Sequence, residues 1–345
     1  MATELTASQR AQLFAMSTRQ NMHMLARETA NTVPATVQFR LPKSRLLSAL
    51  KVKVKMIASL KGVDQTFDVP KCALARIVRR VALDLNNGFS PFVVSGEELH
   101  YYNLASVHGN VHDEQMELKS TVAGTQNHLE FNFTLENTLN GRDPVGLILL
   151  QNDQTNVNLS LDFGNAGDLL EYDGLTITMS DIKVDVATVT YSIPANANAY
   201  PDLSVLKLVN GRSDSMPTTG QQIIKLATGT IYRKILFGLF DEDGAPMEPE
   251  DINGNFELVF NQADVNYSIS AEFLRDMNTE LLGYELPKGV YLFDFSNAGS
   301  FTGLGGTRDY IDTANLSEFW LRFNSGKRGK VDIVTECLSR LTKTA

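Results

Sequence analysis

The stretch Leu286-Pro287-Lys288-Gly289-Val290-Tyr291-Leu292-Phe293-Asp294-Phe295-Ser296-Asn297 joins a Pro-Lys-Gly turn to a run of β-branched and aromatic residues. Proline presets φ for a turn and glycine tolerates positive φ, so the turn chemistry is complete before the strand begins. Gly289 is expected to need that freedom. The fold class depends on whether this is one strand of an α/β scaffold or one of many in an all-β chain.

The same grammar recurs along the sequence. Lys51-Val52-Lys53-Val54-Lys55-Met56 alternates charge with apolar side chains, Leu129 to Glu136 does so with its aromatics on one face, and Asn156 to Phe163 is cleaner still. Period-two alternation marks half-buried strands. Asn-Gly, Asp-Gly and Ser-Gly pairs between such runs supply hairpin turns. About sixteen short strands with few helices predict an all-β chain of two eight-stranded jelly rolls, a double jelly roll with an N-terminal helix and short flanking helices. The expected division is an N-terminal helical arm over 1–34, a first roll over 35–194 and a second over 195–345. The seam is read at Ile193 to Pro201, which is poor in large apolar residues and held extended by its prolines.

Thr6-Ala7-Ser8-Gln9 fits a capping box, and neither Gly nor Pro interrupts the chain from Glu4 to Val33 before Pro34. This predicts one long helix. Ala11, Phe14, Ala15, Met22 and Leu25 would share one side of it, with Leu13, Met16 and Met24 off that side. A helix apolar at several angles touches more than one neighbour. It either packs on its own domain or leaves it as an arm. Two shorter helices are expected, one capped by Asp68 near Pro70, the other capped by Ser270 and running Ala271 to Leu282 with Phe273, Leu274, Met277 and Leu281 on one face.

The chain has 345 residues, of which 43% are hydrophobic and 21% charged, enough for a large core without staples. Its net charge of −9 argues against a phosphate-binding face, so no specific nucleic acid is expected as a partner. Cys72 and Cys337 fit no metal or redox spacing and are read as buried thiols. The first residues lack an apolar core, so synthesis in cytoplasm is expected, and runs such as Val145 to Leu150 are too short to cross a bilayer as helices.

Several clusters invite a chemical reading. His100, His108, His112, Asp113 and Glu114 form a ligand-like set, but Gly109-Asn110 favours a turn over a shared helical face, leaving solvated loop histidines. Asp241, Glu242 and Asp243, with Glu248, Glu250 and Asp251, lack the spacing of a calcium loop and read as an acidic hairpin. Gly299 to Thr307 lacks the Lys-Ser/Thr of a phosphate loop, and Gly326 to Lys330 reads as a basic hairpin. No Gly-x-Ser-x-Gly elbow is present. No catalytic, metal or cofactor residue is assigned, and no enzyme is expected.

Taken together, four stretches make the chain resemble the major capsid proteins of tectiviruses, icosahedral bacteriophages with an internal membrane. They are Leu5 to Leu13 leading to Met24-Leu25-Ala26-Arg27, Ala75 to Val81 followed by Leu99 to Asn103, Ile231 to Leu236 followed by Leu239-Phe240-Asp241, and Leu286 to Tyr291. The resemblance implies a homotrimer whose rolls form a pseudo-hexameric capsomer, and a virion capsid built from self-contacts around an internal viral membrane, with minor virion proteins as further partners. It also implies that the arm, through Leu13, Phe14, Met16, Met22, Met24 and Leu25, faces neighbouring subunits or that membrane. Two other classes stay open: a β-sandwich metalloprotein using the His100–Glu114 cluster, and a carbohydrate-binding or spike module with an exposed aromatic platform.

Overall fold

The computed structural model describes residues 6–86, 88–106, 115–139, 144–151, 155–296 and 310–340. The chain divides into two units, the first Met1–His100, Asp113–Leu208 and Arg340–Ala345, the second Tyr101–His112 and Val209–Ser339.

In the first unit the strands are β1 Gln20–Met24, β2 Glu28–Thr32, β3 Ala35–Arg40, β4 Leu46–Lys61, β5 Gln65–Pro70, β6 Val78–Leu85, β7 Phe89–Val94, β8 Gln115–Ser120, β9 Thr125–Glu136, β10 Ile148–Leu149, β11 Val157–Phe163 and β12 Thr176–Tyr191. Helix α1 spans Ala7–Ser17 and α2 Lys71–Ala75, while α3 Gly96–Leu104 starts in this unit and passes into the second at Tyr101. One sheet centres on β12 and β4, with β1 and β2 along the outer edge of β12 and β9 and β10 along β4; the other runs β7-β6-β11-β3. The lysine alternation of β4 is realised as read, with Val52, Val54 and Met56 buried and Lys51, Lys53 and Lys55 outside. Opposite them on β9, Leu129, Phe131 and Phe133 face inward while Glu130 pairs with Lys53 and Lys55.

Besides the end of α3 from Tyr101, the second unit holds β13 Val205–Met216 from Val209 onward and continues through β14 Gly220–Leu226, β15 Ile231–Asp241, β16 Asn255–Phe260, β17 Asp264–Ser270, α4 Ala271–Leu282, β18 Val290–Asp294, β19 Ile311–Asp312, β20 Phe319–Ser325 and β21 Gly329–Arg340. Its sheets run β18-β15-β21-β13, with β19 also on β15, and β14-β20-β16-β17. Aromatic rings lock them face to face. Phe237 of β15 meets Phe256 of β16 edge-on at 4.9 Å, Phe256 meets Tyr291 at 4.9 Å, and Tyr232 meets Phe319 at 5.0 Å. Such pairs add roughly 0.5–1.5 kcal/mol each beyond area burial.

The Pro-Lys-Gly stretch opens β18 as expected. Gly289 has φ +75°, the Val290 N–H donates to Pro287 O at 3.1 Å, and Leu239 N–H donates to Gly289 O at 2.9 Å. On the far edge of β18 the Asn278 side chain of α4 takes both backbone groups of Leu292, donating at 2.8 Å and accepting at 2.9 Å. An end strand whose backbone groups are satisfied cannot recruit another chain there.

The single long N-terminal helix is not formed. The Thr6–Gln9 capping box is present, but α1 stops at Ser17, where the Ser17 and Thr18 hydroxyls donate to Leu13 O and Phe14 O at 2.7 Å each. Hydroxyls that take helix carbonyls compete with further helix. Beyond them, Gln20 to Thr32 gains more by lining β12 than by continuing a helix whose apolar side is thin. Asp68 lies in β5 and caps nothing, since the N-cap of α2 is Pro70 without a side-chain bond. Ser270 does cap α4 through Phe273 N–H, but α4 buries Ala271, Leu274 and Asn278 while Phe273 and Met277 face outward.

Candidate functional site

The arm residues divide by position. Phe14 departs from the expectation that it faces a neighbour: it is 4% exposed and packs with Leu46 and Leu147 of its own unit, its ring 5.4 Å from that of Tyr191. Leu13 and Met16 occupy the other side of α1 and lie open, Met16 at 85%. On β1, Met22 and Met24 are 59% and 64% exposed, and Leu25 just beyond is half-buried. The segment is stitched down by β1 pairing with β12 from Gln20↔Tyr191 to Met24↔Ala187, and by Arg27, which forks onto Asp185 at 2.7 and 2.8 Å. That guanidinium holds the Asp185 carboxyl below its ordinary range. The exposed thioethers of Met22 and Met24 thus stand on a backbone anchored to β12.

The acidic and basic hairpins find each other. Lys327 reaches Asp251 at 3.0 Å and Asp241 at 4.0 Å, Arg328 reaches Glu242 at 4.0 Å, and Lys288 reaches Glu248 at 2.7 Å. Four of the acidic side chains, Asp241, Glu242, Glu248 and Asp251, thus meet cations carried by two other turns. Among the described residues no group of three His, Cys, Asp or Glu is arranged to hold a metal. His100 is buried on α3, and His108, His112, Asp113, Glu114 and the Gly299–Thr307 stretch lie outside the described residues. The helix that carries His100 was legible in Ser95-Gly96-Glu97-Glu98, whose capping box forms: Glu98 N–H donates to Ser95 Oγ at 3.2 Å and Ser95 N–H to Glu98 Oε2 at 2.6 Å.

A buried polar constellation in the second unit escaped the sequence reading. A bulge between Tyr232 and Lys234 inserts Arg233 as an extra residue on β15. Arg233 donates to Glu336, which also accepts from Tyr102 Oη, and Arg233 Nε donates to Tyr310 Oη at 3.0 Å. Lys234, opposite Glu336 on β21 and Asp294 on β18, places its Nζ 3.3 Å from Asp294 Oδ2. The register of three strands, invisible in sequence, brings Arg233, Lys234, Glu336 and Asp294 together, and Tyr102 of α3 and Tyr310 complete the set. In the first unit a polar depression of about 390 Å³ is lined by Gln38, Asp84, Gly88, Ser90, Asn158 and Ser160 on the face of β3, β11, β6 and β7. Both thiols are buried and unbridged, and burial pushes that of Cys337 up to about 12.

No protein-family model matches the sequence, and no curated protein does. Solved structures do. The major capsid protein of Sulfolobus turreted icosahedral virus superposes with a TM-score of 0.69 over 93% of this chain and 97% of its own, at 14% identity. The fold is a double jelly roll. Protein P2, the major capsid protein of bacteriophage PM2, matches at 0.58 over 95% of this chain and 100% of its own, with 10% identity. The Faustovirus major capsid protein matches at 0.59 over 93% and 90%, with 8% identity. At such identities the likeness is one of fold. It extends over more than nine-tenths of this chain.

Proposed function

We propose that this chain is the major coat subunit of an icosahedral virus, which trimerises into pseudo-hexameric capsomers and encloses an internal membrane in the manner of tectiviruses. The observation that carries the reading is the end-to-end match of a two-roll chain to viral major capsid proteins, with 93% of this chain aligned to 97% of one of them. The local physics agrees. Paired sheets give a rigid shape, which a shell requires of its tiles, and permanent interfaces commonly bury 2,000 Å² or more. In this reading the subunit works through contact surfaces rather than a reactive centre.

Leu13, Met16, Met22 and Met24, with Leu25 beside them, are the proposed contact row for neighbouring subunits or the membrane. Unbranched methionine adapts to irregular and non-equivalent partners. Phe14 serves this row from behind, by fixing α1 to the roll. Light scattering of the purified protein tests the reading: a stable species near three times 38.1 kDa is expected, and a monomer at every concentration overturns it.

A further inference from the structure

A buried amine and a buried carboxyl face each other across two strands of the second unit. Phe295 N–H donates to Arg233 O at 2.9 Å, which makes the next pair along the ladder, Lys234 and Asp294, a non-hydrogen-bonded one. In such pairs side chains stand closest, with Cα atoms about 4.5 Å apart. The Lys234 side chain is 9% exposed and that of Asp294 1%.

The environment of the carboxyl is asymmetric. Oδ1 accepts from the Ser296 backbone N–H at 2.8 Å and from the Ser296 hydroxyl. Oδ2 lies 3.3 Å from Lys234 Nζ, close enough for ion pairing but outside hydrogen-bond geometry, and it has no other partner. The amine itself is held by Ala105 O at 3.3 Å. Glu336, the cross-strand neighbour of Lys234 on β21, is occupied by Arg233 and Tyr102. One oxygen is thus gripped by two donors, as a developing oxyanion would be, and the other rests unbonded beside a nucleophile.

We propose that Lys234 and Asp294 close an intramolecular amide that welds β18 to β15. Within the buried pair the ammonium yields a proton to the carboxylate, leaving a neutral amine and a neutral acid. Lys234 Nζ then attacks Asp294 Cγ, and the charge that develops on Oδ1 is met by Ser296 N–H and Oγ–H. The Cγ–Oδ2 bond breaks, and Oδ2 departs as water with the remaining protons. The balance is ammonium plus carboxylate giving one amide and one water, with no oxidant or other reactant. Holding both groups in contact supplies the proximity that the uncatalysed reaction lacks. Condensation also removes two buried charges whose desolvation an ion pair only partly offsets. The weld would fasten the end strand of its sheet, independently of the coat-protein reading.

Mass spectrometry of the intact, denatured protein tests this directly. The expected mass is about 18 Da below that of the sequence, and a digest yields a branched peptide joining the segments around Lys234 and Asp294. Lys234→Arg is expected to restore the full mass. The proposal is overturned by a wild-type protein at full mass with both linear peptides recovered, or by a water loss that maps to other residues. The wild-type measurement decides even where the variant does not fold.

Discussion

Replacing Gly289 by alanine probes the turn on which the second roll's end strand depends. Its φ of +75° costs a residue with a side chain about 1–2 kcal/mol. The added Cβ would also lie 2.8 Å from Leu239 O and 2.9 Å from Pro246 Cβ. Leu239 O is an acceptor for Met247 N–H at 2.9 Å, so it cannot retreat without disturbing that bond. Overpacking of this kind adds about 1–3 kcal/mol, while a stiffer unfolded chain returns about 0.4–1 kcal/mol. A net loss near 3 kcal/mol lowers the melting temperature by roughly 6–12 °C. Gly244→Ala is the control, because Gly244 has a similar φ of +79° but open space where a Cβ would go. Thermal melts followed by circular dichroism should place Gly289→Ala clearly below Gly244→Ala, and both below the parent. Equal melting temperatures for the two variants would refute the steric argument.

Phe14→Ala should cost about 3 kcal/mol in urea melts because it empties a buried site, whereas Met16→Ser and Met24→Ser should stay within about 0.5 kcal/mol yet impair assembly in electron micrographs. The reverse pattern would count against an anchored arm with an exposed contact row. Stability should decline between pH 9 and about 12, since Cys337 ionises from 9.0 when unfolded but only at about 12 when folded. Tyr291 adds to this above pH 10, its folded value being pushed up to about 12 by burial. Both groups keep their protons in the folded state while the unfolded chain loses them, so rising pH favours unfolding. Urea melts across that range check the slope, and a flat profile contradicts it.

Much of the architecture is written locally. Period-two alternation in β4, β9 and β11 placed the right side chains inside because inward and outward positions alternate whatever the partner strand. The capping of α1 by Thr6 and of α4 by Ser270, and the positive φ of Gly289, are likewise settled within three or four residues. The candidate site was less legible. The exposed methionines stand out by residue type, but Phe14, which fixes α1 to the roll, cannot be told from them on a sequence that reads as one long helix.

What the sequence alone determined is the alternation, the turns and the caps, since each is an interaction between near neighbours. Tertiary structure decided the rest. It drew Gln20 to Thr32 out of a helix and onto the edge of β12, because an open ladder offers backbone bonds that no local signal announces. It set the basic hairpin against the acidic one, and it aligned Lys234 between Asp294 and Glu336. Partners on separate strands are chosen by register, and register is fixed only when whole sheets bury their apolar faces together.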